Sequence, residues 1–117
     1  MTELEMKERT KRFALRVIKV AGTLSNDFVG RRLADQLLRS GTSVAANYRA
    51  ACRARSTADF ASKLAIAEEE ADEAALWMEL LIEGGLVPAH RLKNLVDEAD
   101  ELTAIIVASR KTTKKRS

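Results

Sequence analysis

The side chains in this 117-residue chain that could carry out chemistry are a lone histidine, a lone cysteine, a run of carboxylates and two clusters of cations. A nucleophile needs a base within hydrogen-bond reach, and His90 and Cys52 are the only residues of their types. His90 stands in the first turn of a candidate helix, where an exposed residue is expected. Cys52 sits beside an apolar line, where a small buried residue is expected. The acidic run Glu68-Glu69-Glu70-Ala71-Asp72-Glu73 invites comparison with di-iron bundles, which need Glu-x-x-His pairs projecting inward from two helices. The residue three before His90 is Val87. No glycine-rich phosphate loop, zinc-ligand spacing or nucleophile elbow occurs. The sequence therefore predicts no enzyme, no catalytic residue, no metal site and no cofactor.

Charge is more informative. The formal net charge of +3 hides a segregation: residues 1–55 carry +7, residues 56–109 carry −9, and the last eight residues add +5. Such asymmetry marks either a nucleic-acid contact or two faces that attract each other. In a helix over 27–54, Arg32, Arg39, Arg49 and Arg53 fall near one side, with Arg31 and Arg55 adjoining. In the next helix Glu69, Glu70 and Glu73 lie opposite Ala67 and Ala71, and Leu76, Trp77 and Leu80 continue that side. Two readings are open. Long side chains could cover this second apolar patch while the charges pair within one chain. Alternatively, Glu69, Glu70, Glu73, Leu76, Trp77 and Leu80 form an oligomer interface in which a basic face meets an acidic one, with Trp77 as its aromatic anchor.

The C-terminal cations Arg110, Lys111, Lys114, Lys115 and Arg116 are either a solubilising terminus or, with Arg32, Arg39, Arg49 and Arg53, a nucleic-acid-binding set. Five aromatics in the whole chain leave no stacking platform for bases, so such binding should be weakly sequence-specific.

The elements that must position these residues read as helices throughout. Alanine, leucine, glutamate, arginine and lysine dominate, and no stretch alternates with period two. Phe13, Val17, Val20 and Leu24 form one apolar stripe, ending at Ser25-Asn26-Asp27, which can cap a new helix. Leu33, Leu37, Ser40, Val44, Asn47 and Ala51 form the second, broadened by Ala34, Leu38, Gly41, Ala45, Tyr48 and Cys52. These small residues permit close helix approach, and Gly41 suggests a neighbouring backbone or a bend. Ser56-Thr57-Ala58-Asp59 resembles a capping box ahead of Phe60, Leu64, Ala67, Ala71, Ala74, Met78 and Leu81. Gly84-Gly85 stops that helix, and Pro88 opens a fourth through Leu92, Leu95, Val96, Ala99, Leu102, Ile105 and Ile106. The expected helices span residues 5–24, 27–54, 57–83 and 88–109. They make one all-α domain over 1–109, an antiparallel up-down-up-down four-helix bundle, followed by a basic disordered tail over 110–117. With no signal-like start, no membrane-length apolar run and one cysteine, the expected location is cytoplasmic.

The stretch Gln36 to Ser56, followed by Asp59-Phe60, Lys63-Leu64, the acidic run and Trp77, resembles the bacterial four helix bundle protein family. That family includes proteins encoded in intervening sequences of the large-subunit ribosomal RNA gene, and the resemblance covers about residues 10–108. It implies a bundle that assembles as a homopentameric ring without enzymatic activity. The accessory variability proteins of diversity-generating retroelements, a related group, are similar in fold and assembly and bind nucleic acid and a reverse transcriptase. Within the shared stretch, Ser40, Ser43 and Asn47 read as packing residues rather than chemistry. The expected function is a non-enzymatic homo-oligomeric scaffold or accessory protein with RNA or single-stranded DNA as candidate partner and no membrane. The alternative is a protein-interaction module that binds no nucleic acid.

Overall fold

Short polar side chains fix where the helices begin. The Thr2 hydroxyl accepts the Glu5 N–H and the Glu5 carboxylate accepts the Thr2 N–H, both at 3.1 Å. This reciprocal capping box satisfies two otherwise orphaned donors, and the first helix therefore starts at Glu3, ahead of the expected residue 5. Asp27 accepts from the Gly30 N–H at 2.7 Å and Ser56 from the Asp59 N–H at 3.0 Å, as their positions in the sequence predict. The computed structural model describes residues 1–24 and 26–116, the side chains of 114–116 excepted. Its helices are α1 (Glu3–Ala21), α2 (Phe28–Cys52), α3 (Thr57–Glu83) and α4 (Ala89–Arg116), with no strand among the described residues. Ser25 and Ser117, parts of the expected cap and tail, lie outside the described residues.

The turn from α3 to α4 depends on a glycine. Gly85 has φ +76°, a left-handed conformation that costs glycine little. There the Leu86 N–H reaches the Leu81 carbonyl at 2.9 Å and the Gly85 N–H reaches that of Ile82 at 3.0 Å. These two bonds close the last turn of α3 in the manner of a Schellman cap.

The last helix runs past its expected end at residue 109, because α4 continues through Arg116. No glycine or proline interrupts it, and cations suit the negative end of a helix dipole. The Thr112 and Thr113 hydroxyls bond the Ala108 and Ser109 carbonyls one turn back.

The described chain measures 47 × 20 × 20 Å, and a 27-residue helix is about 40 Å long, so the helices lie along the long axis. Short connections then make successive helices antiparallel neighbours. α2 packs against α1 and α3, α3 packs against α4, and the α1–α4 seam is the least populated. The stripes read from the sequence form the core: Phe13, Val17, Leu37, Val44, Leu64, Ala67, Ala71, Ala74, Met78, Leu81, Leu92, Ala99, Leu102 and Ile106 are all buried. Ile18 and Leu38, which flank those stripes, are exposed instead. Ser40 is fully buried but satisfied, since its hydroxyl donates to the Gln36 carbonyl at 2.9 Å.

Gly41 marks the tightest approach. A Cβ there would lie 2.8 Å from both methyls of Val17, so the neighbour is an α1 side chain rather than the expected backbone. Gly41→Ala should gain about 1 kcal/mol in helix propensity and lose more through overpacking, which costs about 1–3 kcal/mol. Urea denaturation should show net destabilisation, and Gly41→Ala combined with Val17→Ala should be less destabilised than the sum of the two single variants.

Candidate nucleic-acid and subunit interface

The candidate cations on α2 and at its C-cap face outward, because the helix turns its apolar face to α1 and α3. Arg31, Arg32, Arg39, Arg49 and Arg53 are all exposed, yet they are not equivalent. The Arg39 guanidinium spans two carboxylates of α3, with Nη1 2.9 Å from Glu70 and Nη2 3.0 Å from Glu73. Glu70 is buried, with 8% of its surface exposed. For these three residues the charges pair within one chain, so Glu70 and Glu73 meet the basic face of their own chain. Arg110 is likewise engaged, donating to Glu68 Oε1 from Nε at 2.9 Å and from Nη2 at 2.8 Å.

Arg31, Arg32, Arg49 and Arg53 have no carboxylate partner among the described residues. Arg32 stacks over the exposed Phe28 ring, 5.3 Å from its centroid, a cation–π contact that holds the guanidinium at the N-terminal end of α2. Lys111 is exposed on α4. The side chains of Lys114, Lys115 and Arg116 lie outside the described ones.

On α3, Glu69 is exposed, and Leu76 and Leu80 leave 45% and 41% of their surfaces in water. Trp77 is half-buried, and its Nε1–H is enclosed without an acceptor among the described residues. A cleft lined by Phe28, Val29, Leu33, Leu80 and Leu86 extends this apolar surface across the α2–α3 edge. The structure thus leaves Leu76 and Leu80 open and packs Trp77 partly against the core.

The residues considered for catalysis remain apart from any constellation. His90 is exposed. Burial first, and then the charge of Glu3, push the Cys52 thiol above its ordinary value, which keeps it the weakly nucleophilic thiol. No group of three His, Cys, Asp or Glu side chains among the described residues could hold a metal ion. No helix among them is long and apolar enough to cross a membrane.

The sequence reading missed the contact that joins α1 to α4. Arg9 donates to both oxygens of Glu98, from Nε at 2.8 Å and Nη2 at 2.7 Å, with Glu101 at 3.6 Å. The hydrogen bond to Glu98 raises the Arg9 pKa further. A charge flanking an apolar stripe was the available signal, but the partner is 89 residues away and only the packed helices bring it near.

These features fall within a known group. A family model for 23S rRNA-intervening sequence proteins matches residues 2–108. The chain belongs to that family. A member of the S23 ribosomal protein family from Bacteroides thetaiotaomicron VPI-5482, a protein with unknown function, is similar in structure with a TM-score of 0.87 and 33% identity. That match covers 95% of this chain and 99% of the other. No curated protein matches the chain. Neither the 23S rRNA-intervening sequence family nor this neighbour indicates a catalytic activity.

The Arg39 bridge has a testable asymmetry. Arg39→Met leaves the buried Glu70 carboxylate without its charged partner, which should cost about 1–3 kcal/mol. Arg39→Met with Glu70→Leu removes both charges, and such replacements are often neutral. Thermal unfolding should show the double variant more stable than the single Arg39→Met variant.

Proposed function

We propose that this 23S rRNA-intervening sequence family member is a non-enzymatic cytoplasmic scaffold. It self-associates into a closed homo-oligomer, a pentameric ring by family resemblance, and binds RNA or single-stranded DNA weakly through the outer face of α2. The observation that carries the reading is the separation between engaged and open arginines. Arg39 and Arg110 are tied to carboxylates of their own chain, whereas Arg31, Arg32, Arg49 and Arg53 are exposed without such partners among the described residues. Guanidiniums without carboxylate partners, spaced along α2 and at its C-cap, suit a phosphate backbone, to which they can donate two hydrogen bonds at a time. Phe28 is the one aromatic offered to solvent beside them, which favours recognition of charge over recognition of bases.

The open apolar side chains of α3 support the self-association. Leu76 and Leu80 are what an unoccupied contact surface presents. In a ring each subunit would add its arginine face to the same polyanion, which raises avidity without new contacts.

Filter binding of a single-stranded RNA at about 50 and about 200 mM salt tests the nucleic-acid part. For single strands the affinity should fall with a log-log slope of roughly −0.7 for each phosphate neutralised. Substituting Arg31, Arg32, Arg49 and Arg53 by Gln should make that slope shallower by up to roughly 0.7 for each of these arginines that meets a phosphate. Any contribution of Lys111 and the last cations should remain. Absence of binding even at the lower salt would leave the protein-interaction module as the function.

A further inference from the structure

The ion pairs inside the chain leave two complementary surfaces unanswered. On α1, Leu15 and Ile18 expose 58% and 48% of their surfaces. Lys11 and Lys19, one turn to either side of Leu15, are exposed and have no carboxylate partner among the described residues. On α3 the sign of the flanking charge is reversed. Leu76 and Leu80 are open, and Glu69 and Glu83, before and after them on that side, are exposed and without a cationic partner among the described residues.

We infer that the α1 surface around Leu15 and Ile18 is the seat for the α3 surface around Leu76 and Leu80 of a second copy of the chain. The inference rests on the self-association proposed above and names the face that meets α3. The apolar side chains supply the buried centre and the lysines and glutamates form a rim that fixes register, the arrangement in which charge complementarity acts on specificity. Within the chain Arg39 already satisfies Glu70 and Glu73, which leaves Glu69 and Glu83 for the cations of a second copy. The two docking surfaces belong to different helices, α1 joined to α2 at Val17 and Gly41, and α3 joined to α2 through Arg39. Pairing them is heterologous, so every subunit offers one surface and accepts the other, and the contact closes into a ring when the rotation allows.

Charge reversal tests the pairing. Three variants are compared with the wild type by light scattering, with circular dichroism to verify helix content: Lys11→Glu with Lys19→Glu, Glu69→Lys with Glu83→Lys, and all four substitutions together. Each two-site variant should fall to the mass of a single chain while remaining helical, because like charges then face each other. The four-site variant should regain the wild-type mass. Two-site variants that keep the wild-type mass, or a four-site variant that stays monomeric, would overturn the pairing while self-association stands. A monomeric wild type would overturn self-association itself. Should a two-site variant lose helix content, an equimolar mixture of the glutamine variants Lys11→Gln/Lys19→Gln and Glu69→Gln/Glu83→Gln decides: the pairing requires weaker association than wild type, and wild-type mass at every concentration contradicts it.

Discussion

Val17 of α1 occupies the space that a side chain at position 41 of α2 would need, and much of the molecule follows from that closeness. The inner face of α2 combines Gly41, Ser40, Val44 and Ala51, which allow that approach, with the larger Leu37 and Tyr48, all buried. Its charged residues, which would lose their hydration there, lie outward. The result is an exposed arginine row on a helix held closely against its neighbours. On a loop the same row would have no fixed geometry; on a 25-residue helix held between two others it keeps a constant spacing.

Packing, not ion pairing, holds the bundle together. Each large apolar side chain fully removed from water contributes about 1.5–3 kcal/mol, and α1, α2, α3 and α4 all contribute such residues. The bridges of Arg9 to Glu98, Arg39 to Glu70 and Arg110 to Glu68 connect different helices, but all three are partly exposed to solvent, where pairs typically contribute about 0–1 kcal/mol. Their role is to fix the seams between helices. It is also to decide which charges remain available: the bridges withdraw Arg39 and Arg110 from the basic surface and Glu68, Glu70 and Glu73 from the acidic one.

The bundle was legible because helix signals are local. Asp27, Ser56 and Gly84-Gly85 act within a turn of their own positions, and the stripes from Leu64 to Leu81 and from Leu92 to Ile106 repeat at three and four. The end of α4 was misread because a cation-rich, apolar-free segment resembles a tail, whereas continuity with a packed helix and the absence of any breaker carry it on to Arg116. The surfaces were only half legible. Periodicity located Arg32, Arg49, Leu76 and Leu80 on outward sides, but which arginine meets which carboxylate depends on the lateral order of helices. That order decides that Arg39 is engaged, that Arg49 is open, and that Arg9 crosses to Glu98.

Self-association, as proposed, would cover the open apolar side chains of α3 with a second copy of the chain. The most direct measurement is the solution mass of the untagged protein by light scattering across a hundredfold range of concentration. A closed assembly predicts one species at a fixed integral multiple of the 12.9 kDa chain mass, unchanged on dilution through the micromolar range. A species of 12.9 kDa at every concentration would contradict it.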